Sequence, residues 1–388
     1  MKLRKDKWET VTLKKLSNGI EYGLTASSED YGDTILLRIT DVNENGKLNY
    51  GLRYATVDDR TFSKYQLKPN NVLIARSGAT AGKAYIHKTE GKFIFASYML
   101  RIVLKDEVIN PDFFFSFLNS PNYNSQLSGM KVGSAQPNVN TTNLATLKIP
   151  LPPLEEQKQI AALFQSIETA MEQVEGQEKN LLQLKNKLLK DLFSEKQEFG
   201  NHLKFNDFET VRFDKIAINI SERVEPQKTE LTTYVGLEHL EADNLKIERT
   251  GTPDDVIGTK LKICKGDIIF GKRRAYLRKV AVSHFDGIAS AHSMILRANE
   301  NHIEKDFLPY FMQSDTFMSR AVQISEGSLS PTIKSKTLAQ QEFILPKKEK
   351  QKELVSVFKQ FDLTLNQLKQ QNTTLRNLKM KLLNEILG

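Results

Sequence analysis

Two short segments carry the residue types that grip a polyanion. In the first, Arg76, Ser77 and Gly78 follow the apolar run Val72-Leu73-Ile74-Ala75, and Gly82 and Lys83 lie just beyond. Glycines without a Cβ let backbone amides approach phosphate oxygens closely, while Arg76 and Lys83 add charge. The segment is not a nucleotide-binding phosphate loop. Three residues separate its glycines where four are needed, and Ala84 follows the lysine where Ser or Thr is required. The same residues also suit a plain tight turn. In the second segment Lys272, Arg273, Arg274, Arg278 and Lys279 place five cations in eight positions. Arginines exposed after a strand hold phosphate or pair bidentately with guanine, each good pair worth roughly 1–3 kcal/mol of discrimination. A merely solvated charged face is the plain alternative.

The polar loops from Gly129 to Asn138 and from Gly327 to Lys334 form a second pair of candidates. Gln136, Asn138 and Asn140 carry amides that match adenine edges, and Lys131 and Lys334 can neutralise phosphate. A structural turn ahead of the next strand accounts for these loops equally well.

Other chemistry finds no footing. His87, His202, His239, His284, His292 and His302 have no metal-ligand spacing, and the single cysteine, Cys264, anchors neither a zinc site nor an intramolecular disulfide. There is no Gly-x-Ser-x-Gly elbow and no His-Glu-x-x-His helix. Pro152-Pro153 is the only Pro-Pro pair, so the Asp-Pro-Pro-Tyr or Asn-Pro-Pro-Tyr motif by which amino-methyltransferases hold a flipped adenine is missing too. The chain reads as non-catalytic, with no cofactor or metal of its own. No apolar run approaches the roughly 20 residues that span a bilayer, and the charged start has no apolar stretch behind it. This reads as a cytoplasmic protein without a membrane role. The formal charge of +8, from 55 basic and 47 acidic residues, raises the expectation of a polyanionic partner. The excess lies mainly in residues 1–153 and 347–388, so a footprint within residues 197–346 must be a local cluster.

The elements that position these loops are written twice. Trp8-Glu9-Thr10-Val11 recurs as Phe208-Glu209-Thr210-Val211, and the run from Leu67 to Ile74 matches that from Ile263 to Phe270 in pattern. Further on, Asp112-Phe113 returns as Asp306-Phe307, an offset of 194 that also carries Gly133-Ser134 to Gly327-Ser328 and Gln157 to Gln351. A chain of 388 residues with 39% hydrophobic and 26% charged residues suits two soluble domains plus connectors. Residues 1–153 and 197–346 mix short β-type runs with turns such as Asn43-Glu44-Asn45-Gly46, and so predict mixed α/β domains. The aromatic segments Asp112 to Leu118 and Asp306 to Met312 predict short amphipathic helices whose phenylalanines join the core.

Residues 154–196 and 347–388 predict one long helix each, almost free of Gly and Pro. Ile160, Leu163, Phe164, Ile167, Met171, Val174, Leu181, Leu184, Leu188 and Leu192 form the first apolar stripe. Leu354, Val357, Phe358, Phe361, Leu365, Leu368, Leu375, Leu378, Leu382 and Ile386 form the second. Glu178 and Asn372 interrupt the stripes at matching places, either as polar seam positions that fix register or as stutters facing water. Two such helices bury their stripes on each other. An antiparallel coiled coil places one domain at each end, giving a pseudo-twofold α+β architecture.

Leu151-Pro152-Pro153-Leu154-Glu155-Glu156-Gln157-Lys158-Gln159-Ile160 at the helix entry and Ala75-Arg76-Ser77-Gly78 with Gly82-Lys83 are the motifs of a known family. Over nearly the whole chain the layout resembles the specificity subunits of type I restriction-modification systems. The second copy departs from the pattern, with Leu345-Pro346-Lys347-Lys348-Glu349-Lys350-Gln351 at the helix entry and Gly271-Lys272-Arg273-Arg274 at the loop. The resemblance implies two domains that read unlike halves of a split double-stranded DNA target, with the helices setting the spacing. It also implies assembly with two methyltransferase subunits that use S-adenosylmethionine and with restriction subunits that use ATP and magnesium. The helices and the domain faces beside them would be the docking surface. A coiled-coil adaptor with two protein-binding α/β domains is the alternative from a different class. A fragment of a fused nuclease-methylase is disfavoured, since both ends complete a repeat.

Overall fold

The apolar run ahead of the first candidate loop forms the strand Val72–Ala75, buried at all four positions, as a strand covered on both faces must be. The computed structural model describes residues 3–43, 48–49, 51–130, 138–194 and 203–388. Two units are formed: Met1–Glu175 with Gln370–Gly388, and Gly176–Lys369. Glu44, Asn45 and Gly46 of the predicted turn lie outside the described residues.

In the first unit, Val72–Ala75 pairs antiparallel with Ala84–Ile86 on one side and Met99–Leu104 on the other, and Ser17–Tyr22 completes this four-stranded sheet. A short parallel pair, Ile35–Leu37 with Phe93–Phe95, forms its own two-stranded sheet and packs against it, Leu37, Phe93 and Phe95 sharing a buried cluster with Leu73, Tyr85 and Met99. The ribbon Glu9–Thr12 with Lys148–Leu151 delivers the chain to the long helix. The second unit repeats the plan. Ile268–Gly271 pairs with Val280–Val282 and Ser293–Ala298, Ala217–Ile220 completes the sheet, and the ribbon Phe208–Arg212 with Glu342–Pro346 leads to the second long helix. As predicted, the aromatic segments become helices Pro111–Phe117 and Phe307–Gln313, and Phe113, Phe114, Phe117, Phe307 and Phe311 are fully buried.

The long helices run Leu154–Leu192 and Lys348–Leu387. Each unit contains a stretch of both, packed antiparallel. In the first unit Lys379 Nζ meets Glu168 Oε1 at 2.7 Å and Asn372 Nδ2 donates to Glu175 Oε1 at 3.2 Å, so seven residues forward on one helix is seven back on the other. In the second unit Lys185 Nζ meets Asp362 Oδ1 at 2.6 Å, and the Tyr310 hydroxyl donates to Asp362 Oδ2 at 2.7 Å.

The predicted stripes need correction at matching places. Leu184 and Leu378 face water, at 48% and 42% exposure, while Lys185 is only 3% exposed. Val357 is exposed as well. The helices keep an unbroken four-three alternation, through Val174, Glu178, Leu181, Lys185, Leu188 and Leu192 in the first and Leu368, Asn372, Leu375, Lys379, Leu382 and Ile386 in the second. Such strict heptads keep one seam facing the partner. Glu178 and Asn372 are therefore polar seam positions, not stutters.

The two acid–lysine pairs differ in burial, which sets their worth. Asp362→Ala strands a buried ammonium and a tyrosine hydroxyl, and breaking a buried pair costs about 3 kcal/mol or more. Glu168→Ala removes a half-exposed partner from the less buried Lys379, a loss of about 1 kcal/mol or less. Denaturant titration of the two variants measures the difference, and equal losses would contradict this account of the seam.

Candidate nucleic-acid interface

The two candidate loops have the same backbone despite their different side chains. After Val72–Ala75 the chain turns through left-handed conformations at Gly78 (φ 81°) and Gly82 (φ 93°). After Ile268–Gly271 it does so at Arg274 (φ 57°) and Arg278 (φ 54°). Both loops close alike: Ala75 N–H donates to Lys83 O at 2.8 Å, and Gly271 N–H to Lys279 O at 2.9 Å. Gly82 is required for space too, since an added Cβ would collide with the Leu127 side chain. A left-handed arginine costs roughly 1–2 kcal/mol, so the second loop keeps its two arginines against a local penalty.

Each loop lies against the matching polar loop of its own domain. Val139 N–H donates to Arg76 O at 2.7 Å, and Ser77 bridges to Asn138; Ile333 N–H donates to Lys272 O at 3.0 Å, and Arg273 bridges to Thr332. The structure thus brings Arg76, Ser77, Gly78 and Asn138 together in one domain and Lys272, Arg273 and Arg274 together in the other. Asn140 caps the helix Thr141–Ala145, its Oδ1 accepting from Asn143 N–H at 2.7 Å. Lys131 and Gln136 lie outside the described residues.

The side chains divide into those held inside the domain and those facing out. Lys83 Nζ donates to Val42 O at 3.0 Å, and Lys279 Nζ to Leu237 O at 2.6 Å. Arg278 is a clamp: Nε meets Asp243 at 2.9 Å, one terminal nitrogen meets Asp315 at 2.9 Å and the other donates to Gln313 O at 2.6 Å. Lys334, largely exposed, pairs with Glu326 at 2.6 Å. Arg76 stacks its guanidinium 5.0 Å from the centre of the Tyr22 ring. Arg273 reaches Ser330 Oγ at 3.0 Å and His292 Nε2 at 3.3 Å. Arg274 is exposed and makes no side-chain hydrogen bond or ion pair among the described residues.

Folding also gathers cations that sequence reasoning missed. Burial holds Lys272 below its ordinary pKa, and nearby Arg223 adds to the effect. His292 is likewise held down by burial and then by Arg273, Lys272 and Lys260. Arg223 thus disfavours charge on Lys272, and Arg273, Lys272 and Lys260 disfavour it on His292, so an anion placed among them favours the charged forms. Their spacing in sequence carries no signal of this, because they come from two strands, Arg223–Val224 and Lys260–Ile263, the loop after Ile268–Gly271 and the turn before Ser293–Ala298. Among the described residues no group of His, Cys, Asp and Glu could hold a metal ion, and no helix is long and apolar enough to cross a membrane.

The family model of the type I restriction modification DNA specificity domain matches residues 5–184 and 234–377. The chain belongs to that family. As a specificity subunit it is a non-catalytic component of its system. It is 24% identical over 337 residues to the type I restriction enzyme MjaVIII specificity subunit of Methanocaldococcus jannaschii, covering 82% of this chain and 78% of that one. It is also 24% identical over 318 residues to the EcoDI specificity subunit of Escherichia coli, covering 73% and 68%. In fold it is similar to the specificity subunit from M. genitalium, with a TM-score of 0.63, 16% identity, and coverage of 100% of this chain and 98% of that one. A chain solved in work on complex assembly and conformational transition of a type I system aligns with a TM-score of 0.59 and 17% identity, covering 97% and 96%.

Proposed function

We propose that the two domains of this specificity subunit read the two halves of a bipartite DNA target and that the long helices set the distance between the halves. The observation that carries this reading is the repeated platform, a strand-to-loop turn laid against a polar loop, with Arg76 and Asn138 in one domain and Lys272, Arg273 and Arg274 in the other. One backbone bearing unlike side chains suits unlike half-sites. Lys272, Arg273 and Arg274 contact phosphate or guanine, and Arg76 with Asn138 does the corresponding work in the first domain. Lys83, Arg278 and Lys279 shape the loops from within. The helices and the domain faces beside them dock two methyltransferase subunits, which bring S-adenosylmethionine, and the restriction subunits bring ATP and magnesium.

Methylome sequencing tests this. The chain co-expressed with its methyltransferase partner is expected to yield a split motif with methylated adenine in each half, lost when the chain is omitted. A continuous motif, or methylation independent of the chain, would overturn the reading. Affinity for the target should fall steeply with salt, since phosphate contacts release counterions.

A pH dependence follows from His292. In the free protein its pKa lies below the ordinary value of 6.5, so the ring is neutral at pH 7. A phosphate beside it raises that pKa, binding takes up a proton, and affinity for the second domain's half-site rises as pH falls from neutrality toward the lowered pKa of the free ring. The expected gain between pH 8 and pH 6 is a few-fold, absent in His292→Gln. Identical pH profiles for the two proteins would rule out this placement of the DNA.

A further inference from the structure

Two buried glutamines explain the helix-entry motif in physical terms. Gln157, 1% exposed, accepts from Asn110 N–H at 2.8 Å through Oε1 and donates through Nε2 to Val108 O at 3.1 Å and Pro152 O at 2.9 Å. Gln351, 2% exposed, accepts from Glu304 N–H at 2.8 Å and donates to Pro346 O at 2.8 Å. In each unit one amide therefore ties three segments together: the end of the ribbon strand, the first turn of the long helix, and the loop that leads into the aromatic helix. A buried amide is tolerated when its donors and acceptor are met, and an apolar side chain of the same size meets none of these backbone groups.

The apolar packing below each joint, by Ile160 and Phe164 in one unit and Leu354 and Phe358 in the other, is not directional. Hydrogen bonds are. We infer that Gln157 and Gln351 are positioning residues that fix the angle between each reading domain and its helix, and so set how sharply the spacer length is discriminated. The lever is long. The 39-residue first helix is roughly 58 Å, so about 5° of play at its root moves the far end by about 5 Å, more than the rise of about 3.4 Å per base pair.

The inference rests on the bipartite reading above, and the test separates the two. Complexes of the full chain with its methyltransferase partner, carrying Gln157→Met, Gln351→Met or Gln157→Glu, would be challenged with a library in which fixed half-sites are separated by every spacer within three base pairs of the optimum. The expected result is unchanged half-site bases, with preference for the correct spacer over its neighbours by one base pair reduced at least fivefold. Loss of thermal stability with spacer preference intact would overturn the positioning role and leave these residues as structural caps. So would an equal loss at all spacers. The two joints are separate, so a variant that fails to fold at one leaves the other to decide. A wild-type complex that selects no split target would overturn the bipartite reading itself, and this inference with it.

Discussion

Replacing Lys272, Arg273 and Arg274 together by alanine is expected to abolish selection of one half of the target and leave selection of the other half intact. Each of these cations that pairs with a base edge is worth roughly 1–3 kcal/mol, and about 1.4 kcal/mol is tenfold in affinity. Three such losses, even at the low end, amount to about 100-fold or more. Where the contacts are to phosphate, the slope of log affinity against log salt falls by about 0.9 per contact. Binding to targets with either half scrambled measures both quantities, and equal loss at the two halves would contradict the assignment of domains to half-sites. Arg274→Gly is the control for folding. Gly78 already occupies the corresponding left-handed position in the first domain, so glycine relieves backbone strain while removing the guanidinium. Thermal stability should hold or rise as DNA affinity drops. A variant that binds as tightly as the parent would remove Arg274 from the interface.

Deleting one heptad from each long helix, between the Glu168–Lys379 and Lys185–Asp362 pairs, should move the preferred spacer about three base pairs shorter without changing the bases read. Seven residues at about 1.5 Å each remove about 10 Å of helix, and about 3.4 Å is one base-pair step. Matched deletions keep both acid–lysine pairs in register. The original spacer then fits only if the DNA is deformed, at a cost of roughly 1–6 kcal/mol. Three base pairs also turn the duplex by about 100°, given about 10.5 per turn, so the new optimum should bind more weakly than the parent pair. Selection from a spacer library reads both effects, and an unchanged spacer preference would end the idea that the helices are a ruler.

Periodicity made the duplication, the mixed domains and the long helices legible before folding, because each leaves a mark at a fixed interval. At Leu184 and Leu378 hydrophobicity and spacing disagree, and spacing marks the seam. A strict four-three count through Glu178 and Asn372 arrives at Lys185 and Lys379. The platform was half legible. Matching the repeats sets Gly78 and Gly82 against Arg274 and Arg278, which is enough to suspect a shared turn. The division of the cations into outward and inward was not, since Asp243, Asp315 and Gln313 reach Arg278 only through the fold. The joining of Arg223, Lys260 and His292 to the second loop was hidden for the same reason.

The buried Lys185 gives the helix pair a zero mark. Sliding the strands of this seam by one heptad would set Lys185 opposite Val355 or Lys369 in place of Asp362, an ammonium against an apolar wall or against a second ammonium. Either mismatch leaves a buried charge uncompensated, and so the misaligned forms are poorly populated. A purely leucine seam would hold as firmly yet tolerate such slippage. The polar interruptions thus hold the alignment of the helix pair as well as its cohesion, which the proposed ruler would require.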